Sequence, residues 1–242
     1  MTFAEAGFAV FGPDPRVLAW AQAALALDVD PGPWRHGGTW AVGLDALPNA
    51  ADGSVGGVPL CGDWETLVMA PETWHRAQLS TTRPGYPGRD ADESDAAHRF
   101  RRDRDAAHVE GLLPVGPDRR RFLREPHAFI LGLPLTPAAV SPLVVWPGSH
   151  RIMGRAFAQA FAGVAADALD RVDLTETYQQ ARRSCFDSCA RRMIPLMPGQ
   201  AVVLHRHLLH GVAPWAPDAQ QPERIVAYFR PQTTPAAWAM LP

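Results

Sequence analysis

The sequence predicts a mainly β protein with flanking helices, its strands packed as a sandwich or barrel. Three observations carry that expectation. From residue 99 onward, strand-like segments recur at even spacing, near 100–109, 127–135, 142–146, 200–205, 209–213 and 224–230, with turn residues between them. Before them, residues 34–82 are cut by Gly37-Gly38, Gly56-Gly57 and several prolines into strand-length pieces. One helical block, near 154–193, interrupts the rhythm.

In chain order, Asp14-Pro15 opens a helix, with Asp14 as N-cap and Pro15 in the first turn, and Pro31-Gly32 stops the run. Strands follow at 40–44 and 77–82. Residues 83–98 are polar and rich in Pro and Gly, and read as a long exposed loop, either a lid or binding loop that would close over a substrate or a disordered segment. Within the helical block, Phe157, Phe161, Val164 and Ala168 share one face at 3.6-residue spacing. A second helix starts near Asp173-Leu-Thr-Glu176, close to a capping box, and ends before Pro195. Cys185 and Cys189 sit one turn apart on its stripe with Tyr178 and Ala181 and read as packing residues. No repeat or linker divides the chain, so 1–242 reads as one domain. Residues 1–74 would support a core at 75–231.

Composition narrows the class of function. The chain has 242 residues, 47% hydrophobic and 20% charged, enough to bury a core without staples. Its net charge of −2 lacks the basic footprint of a nucleic-acid binder. Three cysteines make no disulfide framework. No export signal or membrane-length apolar run is visible, so a cytoplasmic location and no membrane partner are expected. All positive charge is Arg and the single Asn is Asn49, which matches the codon usage of a GC-rich bacterial genome.

Three segments can carry chemistry. His108-Val-Glu110 ends the strand-like segment 100–109, where alternation would put imidazole and carboxylate on one face, together with Arg102 and Arg104, which would either attract an anionic substrate or pair with the interleaved Asp103 and Asp105 in a salt-bridged surface. With a third ligand from elsewhere, the pair would complete the facial set of two histidines and one carboxylate used for Fe(II) oxygen chemistry. His205-Arg-His207-Leu-Leu-His210-Gly211 follows a turn and a buried strand. Its three histidines can form a zinc site, or one of them can be a ligand with the others as hydrogen-bonded neighbours; the second arrangement is preferred. Pro147-Gly148-Ser149-His150-Arg151 is no serine-hydrolase elbow, because the G-x-S-x-G pattern is missing. By itself it reads as a strand ending in a turn.

In this order and spacing, with an Arg following, the three segments resemble the phytanoyl-CoA dioxygenase-like family over roughly residues 75–231. The resemblance implies a double-stranded β-helix, the jelly-roll core related to cupins. It also implies an oxygenase that uses Fe(II), O2 and 2-oxoglutarate, converting the last to succinate and CO2 while hydroxylating a small-molecule substrate. Carried over by position, His108, Glu110 and His210 would bind iron. Arg224, fourteen residues past His210, would anchor 2-oxoglutarate, with Arg230 as the fallback. The sequence departs from the family at Glu110, where Asp is commoner, at Val212, where a polar residue is frequent, and at Ser141-Pro142. Two alternatives stand beside this reading. One is a cupin-like metalloenzyme that binds its metal through His205, His207 and His210 without 2-oxoglutarate. The other is a non-catalytic jelly-roll binding module.

Overall fold

The computed structural model describes residues 1–241. The chain runs through α1 (Phe3–Ala6), β1 (Phe8–Phe11), α2 (Pro15–Leu25), β2 (Trp34–Arg35), β3 (Trp40–Gly43), β4 (Gln78–Thr82) and α3 (Asp95–Asp103). It continues with β5 (Leu112–Val115), β6 (Arg120–Leu123), β7 (Phe129–Pro134), β8 (Leu143–Val145), α4 (Ser149–Ala160) and α5 (Thr175–Ser188). The last elements are β9 (Arg192–Ile194), β10 (Ala201–His205), β11 (His210–Val212), β12 (Arg224–Phe229) and α6 (Pro235–Ala239).

Seven strands form one sheet in the order β1-β10-β7-β12-β4-β3-β2, every neighbouring pair antiparallel. A second sheet, β11-β8-β9, faces it, and β5 and β6 form a separate hairpin. The layers follow from alternation along the strands. Ile130, Val202, Leu204, Val226 and Tyr228 of the large sheet meet Leu143, Val145 and Ile194 of the small one in a shared apolar interior. Their sequence neighbours Leu131, Leu133, Val203, Ala227 and Phe229 point the other way and bury Val17, Trp20, Ala21 and Ala24 of α2. On the outer face of the small sheet, Val144 packs with Phe157, Tyr178, Cys185 and Trp238. Helices thus cover both outer faces, which is why β7 and β10 are buried at every position instead of alternating with polar residues. This is the mainly β, jelly-roll core with flanking helices that the sequence predicts.

Several elements differ from expectation. Residues 100–109 are not a strand. Ser94 caps α3, its hydroxyl accepting the Ala97 amide, and the helix runs to Asp103. Arg102 then pairs with its exposed neighbour Asp103, and the Arg104 guanidinium lies over Phe186, so neither shares a strand face with His108. Residues 83–94 form a loop, but it is pinned instead of freely exposed. Tyr86 is buried, Arg83 pairs with Glu223, and Asp90 accepts the His36 and Gly37 amides. Sequence reading also misses β1, which adds an edge to the large sheet beside β10. Through β1, β2 and β3 the N-terminal region supplies strands to that sheet.

Candidate metal centre

A narrow part of the fold brings His108, Glu110 and His210 together. After α3 the chain turns through Asp105 and Ala106, both in the left-handed region with φ of 54° and 53°. The segment then forms an isolated antiparallel bridge to β11: the His108 amide donates to the His210 carbonyl at 2.8 Å, and the His210 amide returns to His108 at 3.0 Å. It is this bridge, not an alternating strand, that sets the histidines side by side, with ring centroids 4.7 Å apart. Two contacts hold the turn. Arg191 forms a paired 2.7 Å contact with both carboxylate oxygens of buried Asp105, and the Val212 amide donates to the Asp105 carbonyl. Gly211 is required by the same approach, because a Cβ there would lie 2.1 Å from the Asp105 carbonyl oxygen.

Both imidazoles are oriented in the same way. His108 Nδ1 lies 3.0 Å from the Ala106 carbonyl and His210 Nδ1 lies 2.9 Å from the Leu208 carbonyl. A carbonyl only accepts, so each Nδ1 donates, and each Nε2 is turned toward Glu110. Glu110 Oε1 lies 3.6 Å from both Nε2 atoms. Burial alone would raise the Glu110 carboxyl; its contacts with His108 and His210 and the Arg230 charge outweigh that and hold it well below the usual carboxylate range. Among the described residues, these three form the one group of His, Cys, Asp or Glu donors able to hold a metal ion, with all ligand atoms within 4.8 Å of one another. Two neutral imidazoles and one carboxylate suit a divalent first-row metal and leave further positions for exogenous ligands.

The set opens on a cavity of about 390 Å³, within the range of small-ligand sites. Trp40, Val42 and Leu113 give it an apolar wall, Tyr86 of the pinned loop lines it, and Ser80 and Tyr228 complete one side. Arg224 lies directly behind those last two. Fully buried, it reaches along β12 so that Nη2 donates to the Tyr228 hydroxyl at 3.2 Å and Nη1 to the Ser80 hydroxyl at 3.1 Å. No carboxylate among the described residues pairs with it, and its Nε has no partner. Arg230 takes a different place. Its Nη1 donates to Glu110 Oε2 at 3.2 Å, and it lines the cavity beside the donor set.

His205 and His207 stay outside this group. The His205 Nδ1 accepts the His207 amide, and the His207 ring is edge-on to Trp238 at 4.4 Å with neither ring nitrogen partnered. Burial pushes His205 down to about 3 and His207 well below the ordinary imidazole value. The Gly148-Ser149-His150 turn supports the site from behind: Gly148 is left-handed and starts α4, and the Ser149 hydroxyl accepts the Leu209 amide, one residue before His210. Sequence reading singles out Arg224 and the three residues that the fold groups here, but not Asp105, Arg191 or the contact of Arg230 with Glu110. His-Gly at 210–211 was the one local signal of close backbone approach.

No family model matches the chain, and no curated protein matches it in sequence. Among solved structures, the chain is similar to the non-heme alpha ketoglutarate dependent carbocyclase SnoK from nogalamycin biosynthesis, at 12% identity over 95% of this chain and 81% of that one, with a TM-score of 0.49. It is also similar to EctD from S. alaskensis with bound Fe (15% identity, 94% and 73% covered, TM-score 0.45). A third is AviO1 from Streptomyces viridochromogenes Tue57 (16% identity, 96% and 93% covered, TM-score 0.44).

Proposed function

We propose that this chain is a non-haem Fe(II)- and 2-oxoglutarate-dependent oxygenase acting on a small molecule, in keeping with its resemblance to the phytanoyl-CoA dioxygenase-like family. The observation that carries the reading is the convergence of His108, Glu110 and His210 on a cavity backed by a buried guanidinium without a carboxylate partner. When bound, Fe(II) supplies the redox chemistry that couples O2 to decarboxylation of the 2-oxo acid and attack on a C–H bond.

The protein's own part is positional. His108 and His210 present Nε2, because backbone carbonyls hold their Nδ1 protons. Glu110 brings the negative charge that offsets a divalent cation. Arg224 supplies a fixed cation, with the Ser80 and Tyr228 hydroxyls beside it, for the distal carboxylate of the cosubstrate; Arg is always charged and offers a planar fork. Trp40, Val42 and Leu113 line the apolar part of the cavity and exclude water from a substrate C–H bond.

Anaerobic titration with Fe(II) and 2-oxoglutarate tests this. The expected result is the weak visible charge-transfer band of the iron chelate, with succinate formed when O2 is admitted. Iron-loaded protein showing neither band nor succinate would overturn the assignment. Replacing His108 by Ala should abolish metal binding, and replacing His205 by Ala should leave it.

A further inference from the structure

We infer that Arg230 is a positioning residue that confines Glu110 to a single donor oxygen. This rests on the metal site proposed above and adds a role for a residue outside the ligand set. The two Glu110 oxygens have different surroundings. Oε1 lies 3.6 Å from both imidazole Nε2 atoms, whereas Oε2 accepts from Arg230 Nη1 at 3.2 Å. Both side chains are largely buried, at 14% and 15% exposure, so the contact is shielded from water and little screened by salt. The arginine is itself anchored. It follows β12 directly, and its backbone amide donates to His75 Nε2 at 2.9 Å.

A glutamate in this place raises a problem that the contact solves. Compared with Asp, Glu carries one more methylene and one more torsion, so its carboxylate is freer to turn both oxygens toward a metal. Chelation by both would use a position that a 2-oxo acid or O2 needs. A guanidinium holding Oε2 opposes that rotation and keeps the charge of the buried carboxylate balanced when no metal is bound. Arg230 therefore acts through Glu110, and Arg224 retains the separate task of meeting an anion. The two guanidinium groups have different partners, Glu110 for one and the Ser80 and Tyr228 hydroxyls for the other.

The test is a double-mutant cycle read with Co(II), whose visible d–d absorption reports coordination without turnover. Wild type, R230M, E110D and E110D/R230M are titrated first with Co(II) alone and then with 2-oxoglutarate. R230M is expected to bind Co(II) at least as tightly as wild type, because a nearby cation is gone and Oε2 is free, with an altered d–d spectrum. Its affinity for 2-oxoglutarate is expected to fall by about tenfold or more, equivalent to about 1.4 kcal/mol or more, because the freed Oε2 then occupies a position that the 2-oxo acid needs. In the E110D background, where the carboxylate falls short of Arg230, the same substitution should change that affinity by no more than about twofold. R230K, which keeps a cation within reach of Oε2, should retain most of the wild-type affinity and serves if R230M does not fold.

Loss of Co(II) binding in R230M would overturn the proposal. So would an equal loss of 2-oxoglutarate affinity in both backgrounds, which would make Arg230 a direct ligand contact, or a loss in R230K as deep as that expected for R230M. A folded wild type that binds no Co(II) would remove the metal centre and this inference together. A wild type that binds both ligands but shows a flat cycle would remove only the role of Arg230.

Discussion

Arg224 is the residue whose environment asks most clearly for a ligand. A cation taken out of water needs an opposite charge or several good acceptors, and this one has two hydroxyls, the Ser80 carbonyl and an unpartnered Nε. The nearest candidate in sequence, Glu223, is taken by Arg83. If Arg224 receives the distal carboxylate of the cosubstrate, R224M should weaken 2-oxoglutarate binding by roughly 100-fold, since truncating one side of a buried charge pair costs about 2–5 kcal/mol. The same substitution should leave stability to urea unchanged or raise it, because an apolar side chain of similar volume removes an uncompensated buried charge. Isothermal titration of the metal-loaded protein and urea unfolding check the two halves; unaltered cosubstrate affinity would return Arg224 to a purely structural role. At this scale the sequence was legible where chemistry is local. His-x-Glu and His-Gly are short patterns with a chemical reason, and Arg224 opens an apolar strand. The contact of Arg230 with Glu110 was not legible, because the two lie 120 residues apart and only the tertiary fold brings them together.

The contact between the 105–109 segment and β11 is the element on which the donor set depends. Its tolerance is small, since any side chain at 211 meets the Asp105 carbonyl. Gly211→Ala should therefore push the segment off β11, separate His108 from His210 and abolish Co(II) binding while the large sheet stays folded. Metal titration beside far-UV circular dichroism checks this; retention of full affinity would show that the bridge is not what sets the ligands. Ser149 supports the other side of β11. Ser149→Ala leaves the buried Leu209 amide without its acceptor and should cost about 1–3 kcal/mol of unfolding free energy, measured by urea denaturation. Elements were readable where both flanking turns and a dense apolar run were present, as in α2, β7, β10 and β12. Residues 100–109 misled because their alternating Arg and Asp fit a strand as well as a helix. The deciding feature is the Ser94 cap, which lies inside a stretch that reads as loop. β1 escaped notice because its pairing partner β10 lies some 190 residues on.

Taken whole, the molecule buries more imidazole than its proposed chemistry uses, and that gives its stability a pH dependence. His205 and His207 sit between the large sheet and the helical layer, against His150, Phe157 and Trp238, with Arg206 between them in sequence. Burial depresses both, His205 to about 3, whereas an unfolded histidine titrates near 6.5. Above that value neither state takes a proton and the pair costs nothing. Below it, the unfolded chain binds protons that the folded chain refuses, so stability falls as pH drops from about 6.5 toward 3. From pH 7 to pH 5 the loss should be about 2 kcal/mol for each histidine, or about 4 kcal/mol for both, against a typical total of roughly 5–15 kcal/mol. His108 works the other way, because its contact with Glu110 raises it, so the comparison must isolate the buried pair. Urea unfolding of metal-free wild type and His207→Leu at the two pH values does so. The variant should show a loss smaller by about 2 kcal/mol, since its partner in the pair still titrates. Equal losses in the two proteins would mean that His207 accepts a proton inside the fold, which its packing between Trp238 and Phe157 opposes.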